Sequence, residues 1–220
     1  MERLIIIGDV HGCLDELEDL LDKVHYQAEN DILYFLGDII NRGPYSKEVF
    51  FRIKDLKATS VLGNHEYHAI YGAHAEHDAG YQRYLKKIFG KDFNAFLDDI
   101  RSWPLYIELK EYILVHGGIV PGVELMDSDP YMMTSIRTWD GMGTRLSEPE
   151  NPPWFDFYKG TKQVVFGHWA LLGGVNRHNV TGIDTGCVYG KRLTALILPE
   201  QKLVSVKARK AYFTDGSKLY

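Results

Sequence analysis

Acids, amides and imidazoles close several apolar runs of this chain, where a core strand has no structural need of them. The stretch "ILYFLGDIINRGPYS" (32–46) runs through Ile32, Leu33, Tyr34, Phe35 and Leu36, then turns to Gly37, Asp38 and, further on, Arg42. An ionised carboxylate at the tip of a buried strand costs several kcal/mol unless a positive group meets it. The same ending recurs. "IIIGDVHG" closes on Gly8 and Asp9 with His11 beyond them, "TSVLGNHE" on Gly63, Asn64 and His65, "ILVHGG" on His116, and "VVFGH" on His168. Asp9, Asp38, Asn64, His11, His116 and His168 form a hard-to-borderline oxygen and nitrogen donor set, suited to Mn, Fe, Co or Zn rather than Mg or Ca. An aspartate that neutralises two cations at once accounts for Asp38.

Such side chains meet only if the apolar runs are strands of α/β sheets, where ligand sites lie beyond the carboxyl ends of strands. "RLIII" and "ILYFL" read as buried strands. Between them "LDELEDLLDKV" places Leu14, Leu17, Leu20, Leu21 and Val24 on one helical face and its acids on the other. "SKEVFFRIKDL" reads as a second helix and "TSVLG" as a strand; residues 67–100, rich in Tyr, His, Lys and Asp at helical spacing, predict a helical excursion beside the sheet. After Pro104, "LYIELKEYILVHGG" reads as a hairpin, and "KQVVFGH", "VTGIDTG", "RLTALILP" and "KLVSV" complete a sheet-rich second half. The fold class is α/β, without internal repeats or low-complexity tracts.

Composition sets outer bounds. With 220 residues, 45% of them hydrophobic, and no linker-like tract, the chain is expected to form a single domain over 1–220. A net charge of -5 argues against a basic sheath tracking a nucleic-acid backbone. Two cysteines, Cys13 and Cys187, are too few for a secreted disulfide framework and read as small buried side chains. The apolar part of "MERLIIIGDVHG" is too short for a signal sequence, and nowhere do about 18 apolar residues run together, so the expected setting is the cytoplasm, away from membranes.

Taken in order, "GDVHG", "GDIINRG", "GNHE", "HGG" and "GH" resemble the signature blocks of the phosphoprotein-phosphatase type of binuclear metallophosphoesterases, from residue 4 to about 198. Any one block is weak, but the ordered set is specific. The flanks "NRGPYSKEV", "LGNHEYH", "FGHWALLG" and "GIDTGCVYGKRLTAL" are similar to the bacterial symmetrical diadenosine tetraphosphatases. The resemblance implies a four-layer α/β/β/α sandwich of two mixed sheets flanked by helices, holding two divalent transition-metal ions, with Mn favoured and Fe, Co or Zn as alternatives. Asp9 and His11 would bind the first ion and Asn64, His116 and His168 the second, with Asp38 bridging both. In such a site two cations about 3.5 to 4 Å apart would lower the pKa of a bridging water, and the resulting hydroxide would attack phosphorus in line with the leaving group. Arg42 would clamp phosphate oxygens with its planar fork, and Asn64 and His65 would also face the phosphate. His65 would protonate the leaving oxygen. Arg137, in "TSIRTWDG", is the expected second phosphate-binding arginine, with Arg145 in reserve.

The chain departs from both branches it resembles. Protein phosphatases of this type carry an aspartate before the motif arginine, paired with the general-acid histidine; here the residue is Asn41. "GNHE" and "HGG" are protein-phosphatase forms, where the tetraphosphatases usually read "GNHD" and "HAG" with a longer insertion before the "GH" block. The expected activity is symmetrical hydrolysis of nucleoside polyphosphates such as diadenosine tetraphosphate. The alternatives are a Ser/Thr protein phosphatase or small-molecule phosphomonoesterase and, from another class, a catalytically silent metal-binding module. The partner is thus a nucleotide or a phosphoprotein substrate. Each residue taken alone has an ordinary explanation: an aspartate in an Asx-turn or helix cap, an arginine in a surface salt bridge, a structural Asp184. His68, His74, His77 and the tyrosines between 67 and 84 are placed to line a substrate groove, and an exposed polar helix face explains them equally.

Overall fold

Alternation along the strands decides the architecture. The structure, a computed structural model, describes residues 2–72, 78–177 and 179–214, so His74 and His77 lie outside the described residues. Its first half alternates β1 (Arg3–Ile7), α1 (Leu14–Lys23), β2 (Asp31–Phe35), α2 (Ser46–Asp55) and β3 (Thr59–Ser60), because parallel neighbours need a crossover and helices supply it. Three helices follow: α3 (Asn64–Tyr71), α4 (Asp78–Phe89) and α5 (Phe93–Arg101). The second half holds β4 (Tyr106–Glu108), β5 (Tyr112–Val115), α6 (Pro130–Ser135), β6 (Gln163–Phe166), β7 (Val175–Arg177), β8 (Val180–Gly182), β9 (Arg192–Leu198) and β10 (Lys202–Lys207). One mixed sheet has the order β10-β9-β1-β2-β3 and the other β4-β5-β6-β8-β7.

Successive side chains of a strand face opposite ways. Ile5 and Ile7, with Leu33, Phe35 and Ala195, therefore pack under α1, α2, α4 and α5. Ile6, Leu36 and Leu196 turn the other way and meet Leu114, Val165 and Ile183 of the second sheet. Beyond that sheet, Ile113, Val115, Val164 and Phe166 pack on Met133 of α6 and on Trp154. Layers of helix, sheet, sheet and helix result, as expected for the α/β/β/α sandwich. No helix among the described residues is long and apolar enough to cross a membrane.

Four details differ from the sequence reading. Glu16 of α1 is fully buried instead of joining the solvent face. Its Oε1 accepts from the Arg209 backbone N–H and from the Tyr212 hydroxyl, both at 2.9 Å, so a partner far along the chain draws it inward. The helical excursion begins at Asn64, not at 67, and β3 is only a fragment of "TSVLG", because the motif glycine and asparagine already start the helix. The short β7 and α6 carry too few residues for a period to register; α6 forms on the Asp129 cap, whose Oδ1 accepts from Met132 N–H at 2.9 Å, with Pro130 in its first turn.

Ile6 has no solvent exposure and lies between the sheets. Ile6→Ala is expected to lower the unfolding free energy by about 2–5 kcal/mol in urea titration; a loss below about 1 kcal/mol would contradict the interlayer role.

Candidate active site

The loops that leave the strand ends double back at once. Outside glycine, eight described residues have positive φ, and five belong to the motif blocks: His11 (47°), Asp38 (49°), Asn41 (72°), Arg42 (66°) and His168 (65°). Such residues cost of order 1–3 kcal/mol each and persist where surroundings over-determine them. Glu66, at the third position of α3, supplies much of that determination. Its carboxylate accepts from the N–H groups of Asp38 (2.8 Å), Ile39 (3.1 Å), Ile40 (3.4 Å) and Gly63 (3.2 Å). A Cβ on Gly63 would collide with the backbone nitrogen and Oδ1 of Asp38, so the third motif block needs glycine for close approach. Glu66 is a functional residue that sequence reasoning passed over; its signal was its place three residues into a helix whose cap has no side chain.

Held this way, oxygen and nitrogen atoms of a metal-ligand type converge. His11 Nδ1 donates to the Ile40 carbonyl (2.9 Å), His116 Nδ1 to that of Leu36 (2.6 Å) and His168 Nε2 to that of Ser135 (3.1 Å). Each imidazole is thereby fixed in ring orientation with its other nitrogen turned inward, as second partners do for metal-binding histidines. Those inward nitrogens reach one neighbourhood. His11 Nε2 lies 3.5 Å from Asp38 Oδ2, and His116 Nε2 lies 3.4 Å from Asp38 Oδ1 and 3.0 Å from Asn64 Oδ1. His168 Nδ1 lies 2.9 Å from Asn64 Oδ1. Asp9 enters from β1, its two oxygens each 3.1 Å from the His168 backbone N–H.

The electrostatics match this crowding. Burial works against the Asp38 charge, but His116, His65 and His11 outweigh it and hold the carboxyl well below its ordinary value. Burial also opposes charge on His116, and there Asp38 and Asp9 prevail, raising it to about 10. Burial and then Asp184 push Asp9 well above the carboxylate range, while burial, then Arg137 and His116, keep His168 neutral. A neutral His168 whose one N–H is spent on Ser135 O has no proton for Asn64 Oδ1, so two acceptors face each other. Divalent cations fit this donor set: Asp38, His116 and His168 place ligand atoms within 4.8 Å of one another, as do His11, Asp38 and His65.

Two arginines border the centre. Arg42 Nη1 donates to His11 Nε2 at 3.2 Å, and its guanidinium carbon sits 5.6 Å from the Tyr189 ring and 5.7 Å from the Phe213 ring. Phe213 is brought there by backbone bonds from Tyr212 and Phe213 N–H to Val188 O, at 2.9 and 3.1 Å, and by the Glu16 anchor. Arg137 shares a cavity with Arg42, Trp169, Asp184 and Tyr189. Its Nη1 and Nη2 donate to Ser147 Oγ (3.0 Å) and His168 O (3.4 Å), whereas its buried Nε has no partner. Arg145, by contrast, is exposed.

His65 is oriented by Asn41. The Asn41 Oδ1 accepts from the Arg42 backbone N–H at 2.8 Å, which turns its amide NH2 toward His65 Nδ1 at 2.9 Å. Nδ1 is therefore the acceptor and Nε2 carries the ring proton, on the side where Asp38 Oδ2 lies 3.9 Å away.

A fold of two packed mixed sheets with acids, amides and imidazoles converging at the strand ends defines the class of metal-dependent phosphoester hydrolases. A model of the calcineurin-like phosphoesterases matches residues 2–202, and the chain belongs to that family. It is thus a hydrolase of phosphoric ester or phosphoanhydride bonds, and the family implies divalent metal ions. The chain is 32% identical to the asymmetrical bis(5'-nucleosyl)-tetraphosphatase PrpE of Oceanobacillus iheyensis, over 97% of its own length and 95% of that protein. It is 31% identical to the symmetrical bis(5'-nucleosyl)-tetraphosphatase of Vibrio cholerae, over 87% and 93%. A crystal structure provisionally named a diadenosine tetraphosphatase superposes with a TM-score of 0.82 at 30% identity, covering 94% of each chain. A Ser/Thr phosphatase of Saccharomyces cerevisiae shares the fold at 18% identity and a TM-score of 0.58, over 97% of this chain and 82% of that one.

The aromatic pair beside Arg42 should be felt in phosphate binding. Phe213→Ala is expected to weaken inhibition of p-nitrophenyl phosphate hydrolysis by inorganic phosphate roughly five-fold, about 1 kcal/mol, and to have no further effect in an Arg42→Lys background. Equal losses in both backgrounds would assign Phe213 to packing alone.

Proposed function

We propose that the chain hydrolyses a phosphoanhydride bond of dinucleoside polyphosphates such as diadenosine tetraphosphate, cleaving symmetrically in the cytoplasm with two divalent ions, Mn first among Mn, Fe, Co and Zn. The observation that carries this reading is the meeting of carboxylate, amide and imidazole side chains from five strand ends around Asp38, with two arginines at its edge. The names of relatives that match over most of the chain point to the same substrate class.

In this reading Asp9 and His11 hold one ion, Asn64, His116 and His168 the other, and Asp38 both. Bound there, the ions supply Lewis acidity toward phosphate oxygens and a water activated near neutral pH. Arg42 and Arg137 orient the phosphates; the Arg137 Nε, buried without a partner, is a donor held for such an oxygen. His65 presents its Nε2–H to the leaving oxygen. An anhydride suits that arrangement, because a departing diphosphate has a conjugate acid of pKa about 6 and needs little more than a hydrogen bond. A serine alkoxide is far more basic and depends on full proton transfer, which a carboxylate at position 41 would favour and Asn41 does not. The protein-phosphatase reading retains the "GNHE" and "HGG" forms in its favour.

Product analysis with diadenosine tetraphosphate and Mn tests the proposal. Two ADP are expected; AMP with ATP would overturn symmetrical cleavage, and no turnover beside brisk phosphopeptide hydrolysis would install the protein-phosphatase reading. Asp38→Asn is expected to lose metal content and turnover together while the circular dichroism spectrum stays unchanged. A variant that keeps two metals by elemental analysis and near-normal turnover would remove Asp38 from its shared position.

A further inference from the structure

One feature of α3 lies outside the machinery above. The helix starts with Asn64 and His65, and at helical spacing from Asn64 come Tyr67 and Tyr71, on the same face. The Tyr67 and Tyr71 rings lie 4.8 Å apart at 43°, and Tyr131 of α6 adds a third ring 6.0 Å from Tyr67. Tyr71 ends the stripe with 68% of its surface exposed. A tyrosine so open stabilises the fold little, yet it is backed by the Tyr67 ring, itself packed near Tyr131, a combination that suits a stacking surface. Asn64 and Tyr71 are separated by two helical turns, about 10 Å. A diphosphate and a ribose bridge such a span.

We propose that this stripe is the subsite for a nucleobase of the substrate, with Tyr71 as the stacking face and Tyr67 and Tyr131 as its support. The inference rests on the dinucleoside polyphosphate reading and adds to it where one nucleoside lies: along α3, outward from the metal-facing Asn64 and the His65 beside the leaving group. Stacking reads a flat π surface rather than a hydrogen-bond pattern, so adenine and guanine nucleotides are held alike. A phosphate without a base gains nothing from the stripe. The site thus separates nucleotides from small phosphoesters by affinity, while the metal-facing residues treat both alike.

The test uses binding, which does not depend on turnover. Calorimetry on the Mn-loaded enzyme compares α,β-methylene-ADP with methylenediphosphonate, which carries the same bridged phosphonates without the nucleoside. Tyr71→Ala is expected to weaken α,β-methylene-ADP about 10-fold, or about 1.4 kcal/mol, and to leave methylenediphosphonate unchanged; Tyr71→Phe is expected to restore the nucleotide. α,β-methylene-GDP should follow the adenine compound. Loss of both ligands together, or no loss of either, overturns the subsite. The two readings fail separately: Tyr71-dependent nucleotide binding without tetraphosphate hydrolysis sinks the reaction alone, and tetraphosphate hydrolysis with Tyr71-independent binding sinks the subsite alone.

Discussion

A buried negative charge at the end of β2 is the constraint around which the molecule is arranged. Asp38 is almost wholly excluded from water, its backbone N–H is held by Glu66, and one of its oxygens accepts from His65 N–H at 2.9 Å. The remaining neighbours are imidazoles from three other loops, His11, His65 and His116. Desolvating a carboxylate to this degree is tolerable only where several positive or proton-bearing groups can be brought within a few ångströms. Two packed sheets do that, since the parallel strands β1 and β2 of one and β5 and β6 of the other each deliver a loop from their carboxyl ends to the same place. The interlayer contacts of Ile6, Leu36, Leu114 and Val165 therefore do more than stabilise the fold: they fix how far apart the two sets of loops stand.

The same constraint explains why strain gathers there. His11, Asp38, Asn41, Arg42 and His168 occupy left-handed backbone that glycine would adopt at lower cost, yet each position needs its side chain. The compensation is local and polar. Glu66 accepts hydrogen bonds from the N–H groups of four residues, and the backbone carbonyls of Ile40, Leu36 and Ser135 each accept one from the imidazole of His11, His116 and His168 respectively. Carbonyls serve well because they accept without bringing a charge of their own. Asn41 follows the same logic: it orients His65 through a neutral amide, where a carboxylate would have added another negative charge beside Asp38.

How much of this could be read from the sequence depends on how far each residue's reason lies along the chain. Asp9, Asp38, Asn64, His116 and His168 each follow an apolar run directly, and the short range of that signal made them and the strands legible. The unbroken apolar runs "RLIII" and "ILYFL" carried the sheet, and the 3.6-residue spacing carried α1, α2 and the helical stretch after residue 64. Glu16 was misplaced because its reason for being buried is Arg209 and Tyr212, nearly the whole chain away. Phe213 was invisible for the same cause: nothing in "KAYFTDG" announces a ring beside Arg42. β7 and α6 were missed because three and six residues are too few for periodicity to outweigh local composition.

The bracing of Arg42 by a ring that comes so late in the chain also sets an order on biogenesis. Residues emerge from the ribosome at about 5–20 per second, so roughly 10–30 s separate the synthesis of Arg42 from that of Phe213. In that interval the strand-end residues from Asp9 to His168 have all been made, and Tyr189 after them, while the guanidinium still lacks its second ring. Until Val188 has paired with Tyr212 and Phe213, Arg42 has His11 and Tyr189 beside it but not its second ring, so its bracing is completed only after all five motif blocks have been made.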